Sequence, residues 1–157
     1  MALSLLLLMR HAEKTADPQD PDLSPAGLER AKKLADYIPQ EFDPLDFLFA
    51  SALSRHSARP YETIKPLSKK IGLPIDATYA DNDYEAFAGA LLSDPRYSGK
   101  KILVAWHHGN IPPLANALGA PAGQYPNPWN ASVFNLILRF EWQAAGQPTV
   151  TEVTEPF

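Results

Sequence analysis

The chain has no cysteine. Disulfides, a thiolate nucleophile and Cys-based zinc sites are thereby excluded, and the absence fits a reducing compartment. A long apolar run is also missing. Leu3 to Met9 is far too short to cross a bilayer. It lacks the preceding basic region and the following small-residue cleavage site of a signal peptide, so it is expected to be a strand in a cytoplasmic protein. Excess positive charge is absent as well. The net charge is -4 and the pI is near 5.5, which argues against non-specific nucleic-acid binding and leaves no polybasic membrane footprint. A few arginines gathered in one pocket can still dominate the potential felt by a small anion.

The 157 residues suit one domain, residues 1–157, with a real core. An apolar fraction of 45% and a charged fraction of 20% are ordinary for a globular chain. Proline, at 16 residues, is about twice its usual share. It is dispersed along the chain and so marks element boundaries.

The coarse pattern alternates strand and helix. This predicts an α/β fold, a three-layer α/β/α sandwich whose central sheet is mostly parallel. Ser4 to Met9 and Lys101 to Trp106 are strands whose runs Leu5 to Met9 and Ile102 to Ala105 are apolar on both faces, as central strands are. Ser24 and Pro25 supply an N-cap and a first helical residue for a helix ending at Pro39. Phe47 to Ala50 is a short strand. Ser54 to Ile71 is predicted to be helical, broken at Pro60 and Pro66 and closed by Gly72. Ile75 to Thr78 is a further short strand, and Asp81 or Asp83 caps a helix reaching Leu92. Pro112 and Pro113 open a helix to Leu118. Ser132 to Trp142 and Thr149 to Thr154 form a hairpin across Ala144 to Pro148.

Two apolar strands therefore end in histidine, one at Arg10-His11 and one at His107-His108. In a parallel sheet these ends lie on one edge, where open α/β sheets hold their ligands. Arg55 and Arg59 follow the Phe47 strand near the start of a helix, where anions are favoured. An imidazole can attack phosphorus while guanidinium groups hold the phosphoryl oxygens.

These residues carry a resemblance. Arg10-His11-Ala12-Glu13-Lys14 resembles the Arg-His-(Gly/Ala) signature of the histidine phosphatase superfamily, which includes the cofactor-dependent phosphoglycerate mutases. Leu23-Ser24-Pro25-Ala26-Gly27 with Arg30-Ala31 resembles its Leu-(Ser/Thr)-x-x-Gly-x-x-(Gln/Arg)-Ala helix start. Ser51-Ala52-Leu53-Ser54-Arg55 resembles its Ser-Pro-Leu-x-Arg segment, and His108-Gly109-Asn110 its second histidine motif.

The resemblance implies a phosphoglycerate mutase-like fold and a metal-independent phosphatase acting on a small phosphorylated substrate, with no cofactor. His11 would become phosphohistidine, and Arg10, Arg55 and His108 would bind the phosphoryl oxygens. His-Gly-Asn favours His108 over His107 as the second histidine. His107, Arg59 and Asn110 are further candidates for substrate contact. Glu85 and Asp81 lead as general acid, ahead of Asp83 and Glu13. The rival functions are a mutase, a non-catalytic phosphate binder, and a zinc site using His11, Glu13 and His107 or His108. Arg10 beside a dication counts against the last.

Overall fold

The computed structural model describes residues 3–144 and 146–157. Its strands are β1 (Leu5–Arg10), β2 (Phe47–Ala50), β3 (Ile75–Asp76), β4 (Lys101–Trp106), β5 (Leu136–Glu141) and β6 (Thr149–Thr154). Its helices are α1 (Pro25–Glu41), α2 (Arg59–Ile71), α3 (Tyr84–Ser93) and α4 (Ile111–Ala117). The strands form one sheet in the order β3-β2-β4-β1-β5-β6. β1, β2, β3 and β4 pair in parallel, and β5 runs antiparallel to both β1 and β6. The fold is thus α/β, mostly parallel, as the alternating pattern predicts. The expected hairpin connection includes Ala145, which lies outside the described residues. No helix among those residues is long and apolar enough to cross a membrane.

Alternation along the central strands divides the core in two. Leu5, Leu7 and Met9 of β1 join Leu103 and Ala105 of β4 under Leu34, Ile38, Ile64 and Leu67 of α1 and α2. Leu6 and Leu8 join Ile102, Val104 and Trp106 under Phe87 and Leu91 of α3, Leu114 of α4 and Leu118 just after it. Period-two side-chain direction and cover on both faces explain why both strands read as unbroken apolar runs. Leu6, Leu7 and Leu8 are wholly buried, each contributing about 2 kcal/mol of transfer free energy.

Several boundaries differ from the sequence reading. α1 continues through Pro39 to Glu41, with Phe42 N–H still donating to the Ile38 carbonyl. α2 starts at Arg59. Pro60 therefore lies in its first turn, where a missing N–H costs nothing. The preceding Ser54–Ser57 stretch is a turn closed by reciprocal backbone bonds and by Ser54 Oγ, which accepts from the His56 and Ser57 amides. β5 begins at Leu136. The carbonyls of Ala131 and Val133 are committed to the Arg10 guanidinium, so this stretch does not extend the strand ladder.

Candidate active site

β1 and β4 bring their histidines together. Arg10 is paired with Trp106 in register, and His11 N–H donates to the Trp106 carbonyl at 3.0 Å. His11 and His107 then lie level with each other, their ring centroids 5.3 Å apart in an edge-to-face arrangement. A cleft of about 570 Å³ opens at this sheet edge. Arg10, Lys14, Arg59 and all four histidines of the chain (His11, His56, His107 and His108) line it, and Asp81 is its one acidic side chain among the described residues.

His11 is 2% exposed. Its Nδ1 lies 2.6 Å from the Ala12 carbonyl oxygen. A carbonyl only accepts, so Nδ1 carries the proton and Nε2 keeps its lone pair. Burial lowers the His11 pKa to about 3, and His107, Arg10 and Arg59 push the same way against the Ala12 bond. Burial, with Arg59 and Arg10, likewise lowers His107 to about 4. Both rings are neutral at pH 7.

The loop after His11 is fixed at successive points. Ala12 N–H donates to Thr63 Oγ1 at 2.9 Å, and Thr63 Oγ1 donates to the Arg59 carbonyl one turn earlier in α2. The Glu13 carbonyl accepts from the Ser24 amide and hydroxyl, and Ser24 Oγ caps α1 through the Gly27 amide. The Glu13 carboxylate is gripped on both oxygens by Arg30. It therefore faces α1, and the structure does not assemble the zinc set of His11, Glu13 and a second histidine.

Two guanidinium groups approach the histidines. Arg10 is 2% exposed, and its Nη1 donates to the carbonyls of Ala131 at 2.6 Å and Val133 at 3.3 Å. Arg59 Nη1 donates to the Asp20 carbonyl at 2.6 Å. Arg10 Nε and Arg59 Nε are buried with no protein partner. Burial, together with the charge of Arg59, lowers Arg10 to about 10. Both cations line the cleft, and an oxyanion bound between them would offset their repulsion.

Three sequence expectations need correction. Arg55 does not line the cleft. It is exposed at the tip of the Ser54–Ser57 turn, its Nε 3.4 Å from His56 Nε2. Arg59 occupies the place expected of it, because α2 begins one turn later than the sequence reading had it. The signal for this was Arg59-Pro60 followed by Thr63, a helix start with a threonine one turn on. Glu85 is also exposed and outside the cleft, since the first turn of α3 directs it to solvent. Asp81 is the carboxylate that lines it, half-buried, its Oδ2 accepting from Asn110 Nδ2 at 2.8 Å while Oδ1 has no partner. Burial raises the Asp81 pKa, against the influence of Asn110 and His108. Asp83 is exposed on the short 3-10 turn that precedes α3. His107 packs against the His11 ring, and the structure brings both candidates for the second histidine to the cleft. His108 opens a 3-10 turn and lines the same cleft from a less buried position.

The sequence reading passed over Phe134. Arg10 Cζ stands 3.8 Å from the centre of its ring. No local pattern marks this contact, which joins residues more than 120 positions apart.

Together these features define an α/β protein with a cationic, histidine-lined cleft at the carboxyl ends of its parallel strands. Residues 6–91 match the sequence model of the histidine phosphatase superfamily (branch 1). The chain belongs to that superfamily. Solved structures share its fold at low identity. The protein histidine phosphatase SixA, determined with tungstate, superposes with a TM-score of 0.69 at 15% identity, with 96% of each chain covered. A mycobacterial glucosyl-3-phosphoglycerate phosphatase gives 0.61 at 15% identity over 97% of each chain. A structure described as mycobacterial hydrolase 1 gives 0.61 at 16% identity over 98% of each chain.

Proposed function

We propose that this chain is a metal-independent phosphatase that hydrolyses phosphomonoesters through a phosphohistidine on His11. The observation that carries the reading is the pair of buried, unpartnered guanidinium nitrogens, Arg10 Nε and Arg59 Nε, beside an imidazole whose Nδ1 is occupied and whose Nε2 is unprotonated, with its lone pair free. Among the similar structures, SixA and the glucosyl-3-phosphoglycerate enzyme are named as phosphatases.

In the first step His11 Nε2 attacks phosphorus and the bond to the ester oxygen breaks. Arg10, Arg59 and His107 hold the equatorial oxygens, where charge is spread during transfer. Asp81 gives its proton to the departing oxygen. Its lifted pKa keeps it protonated to a higher pH than an exposed aspartate. In the second step water attacks the phosphohistidine, phosphate leaves, and Nε2 recovers its lone pair. Deprotonated Asp81 takes the proton from that water.

The test is a panel of phosphomonoesters with and without a phosphorylated cofactor, combined with trapping of the labelled enzyme in denaturant at alkaline pH, where a phosphohistidine survives. Wild-type protein should release inorganic phosphate and carry acid-labile label on His11. His11→Ala should lose both, and Arg59→Ala should fall at least 100-fold in kcat/KM, as expected when a charge-stabilising donor is removed. Arg55→Ala should stay within about threefold of wild type, because an exposed side chain off the cleft contributes little to an ion held inside it. Turnover retained by His11→Ala would end the phosphohistidine reading. Phosphoryl return to substrate only when the cofactor is present would identify a mutase.

A further inference from the structure

Arg10 sits in a bracket made by the segment before β5, beyond the residues matched to the superfamily. Its Nη1 is bonded to the Ala131 and Val133 carbonyls. The plane of its guanidinium is met by the Phe134 ring at 3.8 Å. Trp129, itself buried, braces the same segment by donating from Nε1 to the Val133 carbonyl at 3.1 Å. Val133 and Leu136 pack toward the larger hydrophobic cluster. The half-buried Phe134 is spent differently, on Arg10 and on the His11 ring, whose centroid is 6.2 Å away.

An arginine has four side-chain torsions to fix before its donors point one way. The two carbonyls fix one end of the guanidinium and the aromatic face fixes its plane. What remains for a ligand is Nε, buried and without a protein partner, together with Nη2, for which no protein hydrogen bond is found among the described residues. The stack also offsets part of the cost of keeping this buried cation charged beside Arg59.

We propose that Phe134 is a positioning residue for oxyanion binding: its ring holds the Arg10 guanidinium in the orientation that presents Nε to the phosphoryl group. This rests on the phosphatase reading, so its test measures binding of inorganic phosphate itself, separately from turnover. Phe134→Leu keeps apolar volume but removes the π face, and Phe134→Tyr restores that face.

Calorimetric titration with inorganic phosphate should show wild type binding and Phe134→Leu binding about tenfold more weakly, the size of a desolvated cation–π contact. Phe134→Tyr should recover to within about twofold of wild type. Thermal melting of the three proteins reports whether each is folded, and phosphate inhibition constants for the folded ones should follow the same order. Equal phosphate affinity in wild type and Phe134→Leu would overturn the bracket and leave the phosphatase reading intact. So would a loss that Phe134→Tyr does not restore, or a Phe134→Leu protein that does not fold while Phe134→Tyr binds no better than tenfold below wild type. A wild-type protein that binds no phosphate would defeat the phosphatase reading first, and the bracket with it.

Discussion

Asp81 shows how one side chain is tuned by what surrounds it. Its backbone carbonyl accepts from the Trp106 indole at 3.1 Å, and Asn110 Nδ2 holds one carboxylate oxygen. The other oxygen is buried and unpaired. Burial raises its pKa because the charged form loses hydration, and one amide hydrogen bond does not replace it. An acid of this kind matters most when the leaving oxygen is a poor leaving group. Asp81→Asn should therefore slow an alkyl phosphate by roughly 100-fold and 4-nitrophenyl phosphate far less. In wild type, the alkyl phosphate rate should fall as pH rises through the lifted Asp81 pKa, and the variant should lose that limb. Equal losses on both esters would show Asp81 to be a structural partner of Asn110 instead. Sequence alone did not separate Asp81 from Glu85. The two are four positions apart, and the choice depends on a 3-10 turn, Asp81–Asp83, that precedes α3 and changes the direction of successive side chains.

At the level of elements, the β1 loop and the start of α1 fit together through Gly27. A Cβ on that residue would stand 2.2 Å from the Glu13 carbonyl oxygen. Alanine has the better helix propensity, by about 1 kcal/mol. The clash, however, is with backbone that already accepts two bonds from Ser24 and lies two residues from His11. The clash should win. Gly27→Ala is expected to lose about 2 kcal/mol in denaturant unfolding, as overpacked sites do, and to reduce kcat by displacing His11. A variant as stable and active as wild type would show the loop to be freer than its hydrogen bonds imply. This contact also explains what the sequence revealed. Ser24, Pro25 and Gly27 give local signals for α1, and the Leu5–Arg10 and Lys101–Trp106 runs announce two central strands. The α2 start was missed because Ser54 closes a turn of its own and because Pro60 can either break a helix or begin one. Motif spacing favours His108 as the second histidine, and the structure sets both His107 and His108 along the cleft. Phe134 had no local signal at all.

Over the whole molecule, buried titratable groups set opposing pH dependences. His11 and His107 are held neutral in the fold, lowered to about 3 and about 4. Below pH 6.5 the unfolded chain binds protons that the folded chain refuses, so this contribution is complete above 6.5 and is lost as pH falls toward 3. Glu155 works the other way. It is 3% exposed, and Arg30 bridges it to Glu13 while also donating to the Phe157 carbonyl, which ties the chain end to α1 and the loop after His11. Burial pushes Glu155 up to about 7 despite Arg30, with Glu13 adding to the rise, and Tyr37 also lies within reach of its charge. Between pH 4.5 and 7 the folded state keeps a proton that the unfolded state releases. The Glu155 contribution is therefore whole below 4.5 and is lost as pH rises through 7. Glutamine has no proton to lose. Melting curves of wild type and Glu155→Gln across pH 4 to 8 should move toward the variant's favour as pH rises, most steeply between 4.5 and 7. The rise of wild-type stability with pH from 3 to 6.5 should persist in the variant, because the two histidines cause it. A difference between the proteins that stays flat across the range would mean that Arg30 holds Glu155 ionised throughout, and that the latch at the chain end is an ion pair at every pH tested.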